Sequence, residues 1–173
     1  GSTAFVVDVI TGSIVESDVF FNSIFAWSVA AGGDATRFDL RSVATHEIGH
    51  VLGLGHSALG ETELRPDGGR RVIGSAAVMF PISLGRGSIA DRTLQPDDIA
   101  GVSDLYPDGG FQDSTGALTG RVLHNGAGAI GAHVVAFNPR TGALIGGFAL
   151  GEGGAFQIAG LSPGAHVIRV EPL

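Results

Sequence analysis

Residues 4–10 (AFVVDVI) form an apolar, β-branched run that stops at a Thr11-Gly12 turn signal, and residues 14–21 (IVESDVFF) form a second run. Two such runs across a short turn predict a β-hairpin. The small residues Ala31 to Gly33 lead to Asp39, after which the hydrophobic period lengthens. Leu40, Val43, Ala44, Val51 and Leu52 lie on one helical face, so a helix is expected from an Asp39 N-cap through about Leu52. Gly53 and Gly55 end it. The polar stretch from Ser57 to Arg71 reads as a long loop, and Ala76 to Pro81 as a short apolar segment. Pro96 opens another helix with Asp97 and Asp98 in its first turn, where the dipole favours carboxylates; it is expected to end near Tyr106-Pro107.

After Pro107 the pattern changes. Residues 108–115 read as a polar linker, and from Ala117 short apolar runs alternate with Gly, Asn and Pro turns: 117–123, 132–137, 143–150, 155–159 and 165–170. This rhythm predicts an all-β module, a small β-sandwich over residues 116–173.

Composition narrows the function classes. Of 173 residues, 44% are hydrophobic and 16% charged, enough apolar matter for a packed core. The formal charge of −7 and the scarcity of aromatics argue against nucleic acid as a partner. No apolar run reaches membrane-spanning length. The absence of cysteine excludes disulfides and thiolate zinc ligands without fixing a compartment. The glycines around Gly142 to Gly154 punctuate short strands as turn residues and match no phosphate-binding loop.

The chemistry lies at residues 46–56, HEIGHVLGLGH. His46 and His50 are four apart and share a helical face, so both imidazoles can reach one ion. Gly53 permits a sharp exit from the helix, and three residues later His56 can return as a third ligand. Three His and an open fourth position are the donor set of a catalytic Zn²⁺, whose charge acidifies water and polarises a carbonyl. Glu47 adjoins the ligand face and is the candidate general base, passing a proton on to the leaving amine. A bare H-E-x-x-H could be a solvated helix face; Gly53 and His56 at fixed spacing argue against coincidence.

With those residues the chain resembles the metzincin clan, whose pattern is H-E-x-x-H-x-x-G-x-x-H followed by a Met-turn. Ser57 after the third His, Ala77-Val78-Met79-Phe80-Pro81, and Leu94 to Tyr106 (LQPDDIAGVSDLY) are similar to the matrixin family within it. The resemblance implies an α+β chain: a metzincin (zincin) core over residues 1–107 with active-site helix, Met-turn and C-terminal helix, shortened at its N-terminal side. It further implies a secreted zinc endopeptidase, extracellular, cell-surface or periplasmic, acting on protein or peptide. Met79 would form an apolar floor beneath one catalytic Zn²⁺. Phe80, Pro81 and Ile82 would line the pocket for the side chain after the scissile bond. Residues 4–10, with Phe5 and Val7, would bind substrate backbone by strand addition.

Some family features have no counterpart. No His outside the motif precedes the C-terminal module to hold a second zinc, and Asp34 is the one calcium candidate upstream of the helix. Only the hairpin stands for the family's N-terminal sheet, so a partner chain or a further N-terminal segment is expected along residues 14–21. Within the C-terminal module, GALTGRV (116–122), GAHVVAFNPRTG (131–142) and GAFQIAGLSPGAHVIRV (154–170) resemble a carboxypeptidase regulatory-like, transthyretin-like sandwich. That implies an accessory role. Two other functions compete with the peptidase: a non-catalytic extracellular binding or adhesion protein with a retained zinc site, and an inactive fragment of a larger active peptidase. A general base at Glu47 favours chemistry, since a structural zinc site does not need one.

Overall fold

The N-terminal strands β1 (Ser2–Val7) and β2 (Ile14–Phe20) pair antiparallel, with Thr3 opposite Val19 and Phe5 opposite Ser17. The first strand ends earlier than its apolar run because Asp8 turns the chain. Its carboxylate accepts the N–H of Ile10 at 2.8 Å, leaving Val9 and Ile10 in an exposed turn. These strands form a sheet of their own, so the outer edge of β2, where a further strand is expected, meets none among the described residues. The computed structural model describes residues 1–68 and 70–171.

Two compact units divide the chain, one comprising Gly1–His56 with Gly60–Leu94, the other Ser57–Leu59 with the residues from Gln95 onward. In the first unit β3 (Trp27–Ser28) pairs parallel with β4 (Phe38–Asp39), which runs directly into helix α1 (Leu40–Val51). Asp39 is the N-cap, as its position predicts: its Oδ1 accepts the Ser42 N–H at 2.7 Å. Residues 57–71, read as a loop, instead contribute to a hairpin of β5 (Gly60–Leu64) and β6 (Arg70–Ser75). Cross-strand pairs hold it, Glu63 with Arg71 and Thr62 with Arg70. Polar residues on both faces hid these strands from a hydrophobic-period reading.

The second unit gathers helix α2 (Pro96–Leu105), helix α3 (Gly109–Ser114) and strands β7 (Gly116–Arg121), β8 (Leu123–His124), β9 (Ala127–Gly128), β10 (His133–Phe137), β11 (Leu144–Phe148), β12 (Ala155–Leu161) and β13 (Val167–Glu171). Its sheets are β11-β10-β13, β12-β7 and β8-β9. Val134, Ala136, Ile145, Ile158, Leu161 and Ala100 of α2 share one buried core. That packing joins α2 to the C-terminal strands, so the compact division falls at Gln95 and not at the expected boundary of 107. The expected linker 108–115 contains α3, because Asp108 caps it by accepting the Phe111 N–H at 2.7 Å. Asp97 ties α2 to β11 and to residue 57, accepting the Gly146 N–H at 2.8 Å and the Ser57 hydroxyl at 2.7 Å. No helix among the described residues is long and apolar enough to cross a membrane.

Candidate metal centre

Everything at this site is built outward from α1. Its N-terminus is clamped by Arg92, whose guanidinium meets both carboxylate oxygens of Asp39 and donates to Ala31 O at 2.9 Å and Ala30 O at 2.7 Å. Both charged groups are largely buried, and the Arg92 hydrogen bond pulls the Asp39 pKa down to about 2 despite burial. The helix carrying His46 and His50 is thereby fixed to the loop before it and to the turn at residues 90–92.

His46 and His50 project from α1, and His56 comes back after Gly53, whose φ of +94° turns the chain. The three ligand atoms lie within 4.8 Å of one another, and this is the one such grouping of His, Asp or Glu among the described residues. Backbone carbonyls set the two helical tautomers. His46 Nδ1 bonds Val78 O at 2.7 Å, and His50 Nδ1 bonds Leu54 O at 2.8 Å. A carbonyl only accepts, so each Nδ1 carries the proton and each Nε2 presents a lone pair. His50 Nε2 stands 3.2 Å from His56 Nε2. Partial burial, then the charges of His50 and His46, lowers the His56 pKa and favours its neutral, ligating form. Converging lone pairs on neutral imidazoles repel unless a cation lies between them, so this donor set fits Zn²⁺.

Glu47, beside His46, is buried. Its Oε2 accepts the Thr3 hydroxyl at 2.6 Å, that hydroxyl lies 3.1 Å from Glu47 O, and Oε1 is 3.8 Å from the Gly1 amino group. Met79 is 3% exposed and packs on Gly49, where an added Cβ would strike its sulfur and come within 3.1 Å of its Cε. Its neighbour Val78 supplies the carbonyl that orients His46, so the turn at 77–80 both packs on α1 and holds one imidazole in place.

A cleft of about 360 Å³ opens over these groups, bounded by His46, Glu47, His50, His56, Phe80 and Pro81. Phe80 rests on Gly60, where a Cβ would clash with the ring at 2.6 Å. Ile82 is 36% exposed and does not border this cleft. Phe5 and Val7 line a second hollow of about 500 Å³ beside His50, Leu54 and His56. Asp34, the calcium candidate, spends Oδ1 inside its own turn, accepting from Thr36 N at 2.9 Å and Thr36 Oγ1 at 2.7 Å. Sequence reasoning missed Thr3, Gly49 and Arg92. Of these Gly49 left a trace, a residue without a side chain inside the helix turn between the two His.

Residues 3–66 match the family model for matrixin. Metalloendoproteinase 1-MMP of Arabidopsis thaliana is 43% identical over 75 residues, which cover 43% of this chain and 16% of that protein. Metalloendoproteinase 1 of Glycine max is 43% identical over 86 residues, 44% of this chain and 21% of that protein. Rat matrilysin is 35% identical over 89 residues, covering 51% and 26% respectively. The chain thus spans between 16% and 26% of the length of these three relatives. No solved structure matches it significantly.

Proposed function

Residues 3–66 of this chain are matrixin-like, and from that premise we propose that it is a zinc-dependent endopeptidase using Glu47 as general base. The observation that carries the reading is the convergence of three imidazoles with a buried carboxylate beside them. His46, His50 and His56 would hold the ion, which when bound would supply Lewis acidity to the scissile carbonyl and to water. Glu47 removes one proton from the attacking water and delivers it to the leaving nitrogen, as a C–O bond forms and the C–N bond breaks. Phe80 and Pro81, which border the cleft, flank the substrate side chain after the scissile bond, and Ile82 follows them outside it. The edge of β1 not paired with β2 takes up substrate backbone by strand addition, with Phe5 and Val7 as apolar contacts.

The site acts on peptide or protein outside the cytoplasm, as the relatives' family suggests, and the C-terminal strands form an accessory β-sandwich. A further segment or partner chain along the outer edge of β2 belongs to the same proposal. Two variants test the chemistry. Protein purified without added metal should carry near-stoichiometric zinc that His50→Ala loses. Glu47→Ala should keep the zinc and lose turnover of casein or a quenched peptide by ~10²–10⁴-fold. Undiminished turnover in Glu47→Ala would refute the assignment of the base.

A further inference from the structure

Side chains alternate along a strand, so Thr3, Phe5 and Val7 share one face of β1. Phe5 and Val7 on that face are apolar and line the hollow beside His50 and His56. Thr3 is the polar member, and its hydroxyl falls 2.6 Å from Glu47 Oε2. Glu47 is 5% exposed, so few waters can orient its carboxylate. A short hydroxyl–carboxylate bond in that setting fixes χ angles that the helix backbone leaves free.

From this geometry we propose that Thr3 is the positioning residue for Glu47. The inference rests on Glu47 being the base. Thr3 occupies Oε2 and holds the carboxylate plane, so Oε1, 3.8 Å from Gly1 N, is the oxygen assigned to proton exchange at the cleft. Thr3 lies on β1, paired opposite Val19. The same strand whose free edge is proposed to take substrate backbone therefore grips the base, so the orientation of Glu47 follows the position of the strand. Nothing in the helix motif supplies this contact; it comes from a residue 44 positions upstream.

Valine keeps the branched shape of threonine and removes the hydroxyl. Thr3→Val should lower kcat about ten- to hundredfold, the range for losing a hydrogen bond to a charged group, with KM and zinc content unchanged. Thr3→Ser, which restores the donor, should recover most of that loss. Thermal unfolding reads the bond without turnover: Thr3→Val should lower Tm more when Glu47 is present than in a Glu47→Ala background, where only the hydroxyl's contact with the residue-47 carbonyl is lost. Should the valine variant not fold, Thr3→Ala enters the same comparison. Full kcat in Thr3→Val, no recovery in Thr3→Ser, or equal Tm losses with and without Glu47 would each overturn the proposal. An active Glu47→Ala variant would instead overturn the reading of the base, so the two failures are distinguishable.

Discussion

Replacing Gly49 by alanine adds one methyl group at the most crowded point of the site. A Cβ there would overlap the Met79 sulfur and come within 3.1 Å of Cε and 3.6 Å of Cγ. Met79 is 3% exposed and Gly49 is buried, so the thioether has little free space to retreat into. Overpacking of this kind costs about 1–3 kcal/mol. Alanine in place of glycine within a helix returns about 1 kcal/mol. Because the added Cβ would overlap the sulfur, the penalty lies in the upper half of that range, and the net expectation is a loss of about 1–2 kcal/mol, or roughly 4–16 °C in the melting temperature of a unit this size. The displacement should also travel. Met79 follows Val78, whose carbonyl fixes the His46 ring at 2.7 Å, so shifting Met79 should tilt that imidazole and, on the proposed function, weaken zinc retention. Calorimetry of metal-free and zinc-loaded protein measures both effects, and competition with a chelator gives the affinity. A paired variant sharpens the reasoning: Met79→Ala alone opens a cavity costing about 2–5 kcal/mol, whereas in the Gly49→Ala background the new methyl occupies part of it. The substitutions should therefore cost less together than the sum of their separate effects. An unchanged or raised melting temperature for Gly49→Ala, or strictly additive losses in the pair, would refute a tight Gly49–Met79 contact.

Acid should loosen the first unit through Asp39. Its folded pKa of about 2 lies below the ordinary 3.8, so its contribution of about 2 kcal/mol is complete above pH 4 and lost as pH falls through 2. Denaturant titrations from pH 6 to 2 should show this slope in the parent and a shallower one in Arg92→Met; equal slopes would refute the Asp39–Arg92 clamp. In the second unit, burial pushes the Asp97 carboxyl above its ordinary value, so its charge opposes folding as pH rises past 3.8 while its two accepted hydrogen bonds favour it. Asp97→Asn should accordingly be nearly neutral at pH 7, since an amide keeps an acceptor for Gly146 N–H. Asp97→Ala should cost about 1–3 kcal/mol by stranding that partly buried donor. Equal stabilities for the two variants would contradict this account.

Local chemistry was readable from the chain where residues close in sequence dictate it. The i, i+4 His pair, the Asp39 cap, the Gly53 exit and the hairpin turn each depend on a few neighbours, and α1 and the β1–β2 pair appear close to where their patterns put them. What stayed hidden depends on partners distant in sequence. Arg92 reaches Asp39 across 53 residues, and Thr3 reaches Glu47 across 44. Neither arginine nor threonine carries a local mark of its partner. Helix α2 shows the same gap from the packing side. Its sequence resembles the family's C-terminal helix, yet Ala100 completes a core made by Val134, Ala136 and Ile158, residues whose strands are identifiable only as short apolar runs. The hairpin of β5 and β6 was masked for a different reason: its charged residues break the apolar alternation, and the strands are tied by a cross-strand Glu63–Arg71 ion pair and an Arg70–Thr62 hydrogen bond. The motif therefore names the proposed ligands and the proposed base. Their orientation is set by the strand, the floor and the clamp around α1, and orientation is the property on which differential stabilisation of a transition state depends.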